Sequence, residues 1–484
     1  MLPSNKKIVF TEFFWYFLGS FVPMLIGLAK NKIFTSVFAP EEFGRYGLIF
    51  ISFTVLSTIF LVWNQNILWR FYHHFDRIKG KDFFLSNNLY IFILQIIVFI
   101  IISAVYYNMV EAGSKYMVFL FAAQMVVVQI LNNMLTLFRI HSLTRIFNIV
   151  NILRTMLAFM LMLYFTFIKH QSIEVYIKGI IWADSVAIVF LFIIKRDFFR
   201  IKLSKFSISI IKKIIAFVPP SLITNLGWIL LVYSDRYVIE YFNGLGVAGI
   251  YHQAQQFGQM ILTGIILIFS KIVTSKFFKV LEKQRESVDA FLKSILLFYI
   301  SVILPLSFYF SIYSKQIVEV FFGNEFHEAF IIMPWINFSA FFIGMHHFIE
   351  SKRFFQNKNW KVVSFYISGL ILNVGLNIIF VPRFGYLAAS ISTMFVNIFI
   401  LVLLLYGDIR FFCKEILFNR ATLVIVLVLI LQTAVHLLIE SFLIDYSFFH
   451  CLIEGVIFLA IYSLVMYKCR VTKKIFEKVY ELID

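Results

Sequence analysis

Charge is scarce in this chain. Only 14% of its 484 residues are Asp, Glu, Lys or Arg, whereas 61% are hydrophobic and the mean hydropathy is +0.88. Globular domains carry about 25% charged and about 45–50% apolar residues, so water is excluded as the solvent for most of this surface and a bilayer is implied. Cysteine is sparse too. Cys413, Cys451 and Cys469 are too few and too scattered for a disulfide framework or a metal site. Acidic residues number 26 against 43 basic ones, a formal net charge of +17. In a soluble protein that excess points to nucleic acid; in a membrane protein it collects in cytoplasmic loops. No HExxH, Walker, GxSxG or Asp-rich metal motif occurs, so no enzyme activity, metal or cofactor is expected.

What the chain does have is long apolar runs. In hydrocarbon every backbone N–H and C=O needs an internal partner, which leaves helices or closed barrels. Barrel strands alternate over roughly 10 residues. Runs such as Leu85–Tyr107 and Ala421–Glu440 have the length of a spanning helix. Spans are predicted near 9–30, 46–67, 85–107, 117–138, 147–168, 175–194, 214–240, 247–270, 290–313, 329–349, 362–381, 385–406, 421–440 and 447–467, about fourteen in all. Lys6 and Lys7 precede the first run and no small-residue cleavage site follows it, so it is expected to be a retained span.

The loops alternate in charge. One set holds Lys6 and Lys7; Arg70, Arg77, Lys79 and Lys81; Arg139 and Arg145; the cluster from Lys195 to Lys213; Lys271 to Arg285; Lys352 to Lys361; Arg410 to Arg420; and the tail from Lys468. The opposite set carries Glu41, Glu42, Glu111, Glu174, Glu240, Glu319, Glu325, Glu328, Glu440 and Asp445. The positive-inside rule orients an even number of spans with both termini cytoplasmic. The longest basic loop separates the sixth and seventh spans. It predicts an N-terminal lobe over 1–195, a basic linker over 196–213, a C-terminal lobe over 214–408, and two extra spans with a basic tail over 409–484. The expected fold is therefore an all-α integral membrane protein with two pseudo-symmetric six-helix lobes plus two C-terminal helices. A short internal match supports the division: Lys32, Phe38 and Gly44-Arg45-Tyr46 after the first span parallel Arg236, Phe242 and Gly249-Ile250-Tyr251 after the seventh, with one inserted residue. Transporters are often built from such repeats.

Intramembrane charges cost about 2.5–3.5 kcal/mol each at a helix centre on insertion scales, so they face partners or water. On the first span Glu12, Tyr16, Gly19, Pro23, Gly27 and Lys30 form one stripe. On the seventh, Ser221, Asn225, Trp228 and Asp235 do so, with Arg236 beside them; on the eighth, His252, Gln256, Gln259 and Thr263; on the eleventh, Tyr366, Asn373 and Asn377. Arg154 lies inside the fifth span, and Lys178 and Asp184 inside the sixth. One reading is a hydrated cavity lined by Lys30, Lys32, Arg154, Lys178 and Arg236 for an anionic headgroup, with Glu12, Asp184 and Asp235 as candidate ion-coupling groups. Asn225, His252, Gln256, Gln259, Asn373 and Asn377 would line it, and Arg70 would mark the cytoplasmic entry. The other reading gives several of these bland roles. Glu12 lies at the interface, Lys30 and Lys32 snorkel, and the amide stripes join helices. Glu454 marks either lipid or a helix contact. The 62 Phe are read as lipid-facing and packing surface.

The segments FAPEEFGRYGLIF, VPPSLITNLGWILLVYSDRYVIEYFNGLGVAGIYHQAQQF and NVGLNIIFVPRFGYLAASIST together resemble Wzx-type O-antigen and polysaccharide flippases of the multidrug/oligosaccharidyl-lipid/polysaccharide exporter superfamily. The resemblance implies translocation of undecaprenyl-pyrophosphate-linked oligosaccharide repeat units to the outer leaflet of a bacterial cytoplasmic membrane. Two lobes would rock about a central cationic cavity, and a polymerase and a chain-length regulator would act alongside. By position, Lys32, Asp235 and Arg236 fall where family members carry charged cavity residues, and Arg70 matches a commonly basic position. Lys32 stands where Arg is frequent, and offers a cation without a bidentate fork. The rivals are a lipid II flippase or multidrug exporter of the same superfamily and, in a different class, a membrane polymerase or glycosyltransferase.

Overall fold

The computed structural model describes residues 5–141, 143–170, 172–199, 202–203, 206–260, 262, 264, 287–355, 359–442 and 448–468. The described residues are helical or in short connections, with no strand. In chain order the helices are α1 (Asn5–Thr35), α2 (Pro40–Ser57), α3 (Trp63–Lys79), α4 (Lys81–Met109), α5 (Lys115–Ile140), α6 (Thr144–Leu163), α7 (Val175–Ile194), α8 (Arg196–Phe199), α9 (Ile208–Tyr233) and α10 (Asp235–Asn243). They continue with α11 (245–260), α12 (Ser287–Ile312), α13 (Ser314–Phe321), α14 (Met333–Phe355), α15 (Asn359–Leu404), α16 (Ile409–Phe412), α17 (Arg420–Phe442) and α18 (Phe448–Lys468).

The outward faces are apolar, as a bilayer requires. On α4, Ile93, Leu94, Ile97, Ile100 and Ile101 are all exposed, Leu94 by 62%. The polar side chains Asn64, Asn88 and Gln95 are buried instead, bonded to one another across α3 and α4 at 3.2–3.3 Å. This inversion of a soluble core is the physical mark of a spanning bundle.

Eleven segments among the described residues are long and apolar enough to cross a membrane, or twelve if the bent pair Asn324–Ile331 and Met333–Arg353 is one span. Helix α15, 46 residues long, would extend ~69 Å against a hydrocarbon thickness of ~30 Å. It breaks at Gly385, whose φ of 62° and ψ of −155° suit only glycine. The sequence divides spans 362–381 and 385–406 at the same point. The predicted eighth span, 247–270, runs beyond the described residues, so the count of fourteen stays an expectation.

By packing, the chain forms two compact units. The first comprises Met1–Lys30 and Pro40–Glu240; the second comprises Asn31–Ala39 and Tyr241–Asp484. This differs from the sequence division at the 196–213 linker. The reason is α9: Ile214 and Val218 are buried in the same cluster as Ile67, Leu68, Tyr72 and Phe84 of α3 and α4, so α9 belongs with the first unit.

In the second unit, the ends of α14 and α15 are joined by Arg353. Its guanidinium donates to the carbonyls of Leu404 (2.9 Å) and Tyr406 (2.6 Å) and to Asp408 (3.3 Å), beside Lys352–Asp408 at 3.2 Å. The last two helices are held to α12 and its exit. Tyr309 donates to the Cys451 carbonyl (3.0 Å), Tyr462 to the Ser301 carbonyl (2.5 Å) and Tyr313 to Glu454 (2.5 Å), which also meets His436 Nδ1 at 3.3 Å. Glu454 is thus a helix-contact residue.

Lys293 of α12 pairs with Glu415, in the turn after α16. The Lys293 ammonium holds the Glu415 carboxyl below its usual value of 4.5. A carboxylate depressed on folding stabilises above its unfolded pKa and loses that contribution as pH falls through the folded one. In a double-mutant cycle of K293Q and E415Q followed by thermal unfolding in detergent, the coupling should be favourable at pH 7 and vanish on acidification below the carboxylate range. Coupling that persists in acid would remove the ion pair from the account.

Candidate functional site

The sequence-selected residues separate by unit. In the first unit, three cations lie on tyrosine rings. Lys30 Nζ is 4.8 Å from the centroid of Tyr176 on α7, Lys178 Nζ is 5.1 Å from Tyr116 on α5, and the Arg236 guanidinium is 4.6 Å from Tyr233. Such stacking lets an amphipathic ring hold a cation at a partly desolvated position. Arg236 is 1% exposed and also donates to the Val232 carbonyl at 3.3 Å, with Asp235 Oδ1 at 3.9 Å. The fourth cation, Arg154 on α6, bonds to Asp184 on α7 at 3.1 Å. Asp184 is buried while the guanidinium stays partly exposed.

Two of these cations are joined by a ladder of rings. Tyr233 meets Phe50 at 6.4 Å, Phe50 meets Tyr46 at 6.2 Å, and Tyr46 meets Tyr176 at 5.4 Å. Arg236 sits at one end and Lys30 at the other. One edge, one stacked and one tilted contact make up the row and fix the ring positions. The ladder was not legible in the sequence, where the aromatics read as packing and lipid-facing surface. Its members come from α2, α7 and α9, and apart from Tyr46 and Phe50, one turn apart on α2, no spacing relates them.

Elsewhere in the first unit, Asn225 is half-buried on α9 and Arg70 is exposed midway along α3. The side chains of Glu12, Tyr16 and Ser221, and in the second unit that of Thr263, lie outside the described residues.

In the second unit, Lys32 has a definite structural task. Its Nζ donates to the carbonyls of Glu319 (3.1 Å) and Phe322 (2.5 Å), and Asn31 Nδ2 donates to Phe321 O (2.6 Å). The last turn of α1 therefore caps the carbonyl end of α13, where a cation also opposes the helix dipole. Gly323 closes the contact: its N–H donates to Thr35 Oγ1 at 2.8 Å, and an added Cβ would lie 2.0 Å from the Thr35 carbonyl oxygen.

The amide stripes are resolved in part. Asn377 Nδ2 donates to Asn373 Oδ1 (2.9 Å) and Asn373 Nδ2 to Thr393 Oγ1 (3.1 Å), which joins the two arms of α15. Asn397 extends the network to Ser339 (2.9 Å), and His346 Nε2 meets the Asn397 carbonyl at 2.8 Å. On α11, His252 is buried and Gln259 half-buried, but Gln256 lies on the exposed face. Gln253 and Gln255 there are buried as well. Among the described residues, no group of three His, Cys, Asp or Glu is placed to hold a metal.

Residues 9–274 match the family model described as polysaccharide biosynthesis protein, and the chain belongs to that family. An uncharacterized membrane protein of Methanocaldococcus jannaschii is 21% identical over 364 residues, 74% of this chain and 70% of that protein. Among solved structures, the lipid II flippase MurJ in an inward closed conformation superposes with a TM-score of 0.73 at 16% identity, over 94% of this chain and 99% of the other. An inward-facing multidrug resistance transporter of the MATE family, within the MOP superfamily, gives 0.56 at 15% identity, over 82% and 94%. A MOP superfamily transporter from Pyrococcus furiosus, described as having a binding pocket of reversed polarity, gives 0.57 at 17% identity, over 83% and 94%. At these identities the likeness establishes the fold, that of MOP superfamily transporters.

The substitution G323A should lower the thermal unfolding midpoint in detergent, at a cost of about 1–3 kcal/mol for overpacking. Gly375, whose Cβ would meet no atom within 4 Å, supplies the control: G375A should leave the midpoint unchanged or raise it. Equal behaviour of the two variants would remove the α1–α13 contact from the account.

Proposed function

We propose that this protein is a Wzx-type flippase: it carries undecaprenyl-pyrophosphate-linked oligosaccharide repeat units from the cytoplasmic to the outer leaflet by alternating access, for surface polysaccharide synthesis. The observation that carries this reading is the set of cations on the first unit's membrane helices. Lys30, Arg154, Lys178 and Arg236 lie within its membrane helices, and of the acids read as their counterparts, Asp184 is bonded to Arg154 and Asp235 adjoins Arg236. A pyrophosphate headgroup suits such a lining, since Lys and Arg make charge-assisted hydrogen bonds to phosphate oxygens. An organic-cation exporter would need the opposite polarity.

Membership of the polysaccharide biosynthesis family supports a saccharide cargo, and the fold shared with MurJ supports a lipid-linked one. Lipid II is the competing cargo on the same chemistry. Asp184 and Asp235 are the ion-coupling candidates in this reading, and Arg70 the cytoplasmic entry cation, with both termini in the cytoplasm. Lys32 is left out of the headgroup set because its ammonium is engaged by the α13 carbonyls.

Deletion of the gene in its native host, with analysis of surface polysaccharide and lipid-linked intermediates, tests the proposal. Single undecaprenyl-linked repeat units should accumulate on the cytoplasmic face while surface polysaccharide is lost. In the complemented strain, K30Q, K178Q and R236Q should each lower export by about tenfold or more, the worth of one charge-assisted hydrogen bond, at unchanged protein level in the membrane. Unpolymerised units on the outer face would indicate a polymerase. Unchanged polysaccharide would redirect the assignment to lipid II or drug export.

A further inference from the structure

We infer that the second unit holds a proton-binding carboxyl, Glu454 of α18, reached from one end of the bundle through Glu440 and His436 of α17. The inference holds whatever the cargo. Glu454 lies in a spanning segment, and its side chain is 13% exposed. One carboxylate oxygen, Oε2, accepts from the Tyr313 hydroxyl at 2.5 Å and meets His436 Nδ1 at 3.3 Å. The other, Oε1, is buried with no hydrogen-bond partner among the described residues. His436 is 5% exposed, and its second ring nitrogen, Nε2, stands 3.8 Å from Glu440, which is 46% exposed near the end of α17. The imidazole thus links a buried carboxyl to an exposed one.

Three features separate this set from the amide joints elsewhere in the molecule. First, its members are ionisable, and carboxyl and imidazole groups in series inside a membrane can pass a proton from one to the next. Second, a buried carboxylate oxygen without a donor is costly, and a proton on the group removes the charge that causes the cost. Third, Gln432, one turn before His436 on the same face, is buried and faces the Tyr313 hydroxyl. Neither of its amide atoms makes a hydrogen bond among the described residues. Its carbonyl oxygen is therefore available to take the Tyr313 hydroxyl when a proton occupies Glu454.

The other titratable groups around Glu454 are Tyr309 of α12, bonded to the Cys451 carbonyl at 3.0 Å, and His450 and Cys451 of α18 itself. Lys315 and Glu319, the charged residues of α13, are exposed, and Lys293 near the start of α12 is paired with Glu415. The proton path follows from the contacts. A neutral imidazole with its proton on Nδ1 shares that proton with the Glu454 carboxylate. A proton taken from water by Glu440 goes to Nε2 as the Nδ1 proton goes to Glu454 Oε2. The net change is one proton gained from water, and release runs the same steps backwards.

The full chain in phosphatidylcholine liposomes, with no lipid-linked saccharide present, is stepped between mildly acid and alkaline medium while infrared difference spectra are recorded. Comparison of the wild type with E454Q should isolate one carboxyl C=O stretch that appears in acid and is lost in alkali. After a pH jump, that band should form more slowly in H436Q. If E454Q does not fold, Y313F decides: without the tyrosine hydrogen bond, one titrating carboxyl band should move to higher frequency. Wild-type and E454Q spectra that titrate alike, carboxyl bands unmoved in Y313F, or a band that forms at the wild-type rate in H436Q would each overturn the proposal.

Discussion

A hydrocarbon interior offers the backbone no partner, and the architecture follows from that constraint. Each spanning segment must satisfy its own N–H and C=O groups, so the described elements are helices and every interruption needs a local solution. Gly385 breaks α15 in a conformation that other residues do not adopt. The carbonyl ends of α13 and α15, which have no intrahelical donor, are met by Lys32 and Asn31 in one case and by Arg353 in the other. Basic residues that would look like substrate contacts in a list are here used to finish helices.

The same constraint governs the polar side chains. Asn64 with Asn88 and Gln95, Asn373 with Asn377 and Thr393, and Glu454 with Tyr313 and His436 each form bonded sets among the helices. They act as joints between helices whose outer surfaces are too apolar to tell a neighbour from lipid. The cations of the first unit's ladder are a different case. Lys30 and Arg236 lie on aromatic faces at the two ends of a row of rings, an arrangement that helps to hold charge inside the bundle.

Much of the fold was legible in the sequence because a spanning helix has a length set by the bilayer and a composition that soluble segments avoid. The division of α15 near residue 385 was visible as a break between two apolar runs. The roles of single polar residues were less legible. Helical periodicity identified Asn373 and Asn377 as sharing a face and left open whether that face met cargo or helix; the bond to Thr393 shows a helix joint. Lys32 read as a cavity cation because its acceptors are backbone carbonyls almost 290 residues away, and carbonyls leave no mark in a residue pattern.

The amino-acid sequence by itself determined that the chain is a bundle of membrane-spanning helices, which charged residues fall inside it and where the chain breaks. Hydropathy, charge alternation and helix period are local properties, and local properties suffice for those conclusions. Tertiary structure alone decided the partners: that α9 packs with the first unit, that Lys32 and Arg353 close helix ends, and that Tyr46, Phe50, Tyr176 and Tyr233 form one ladder between two cations. Those facts depend on distances between segments far apart in the chain, and such distances arise only when the helices pack.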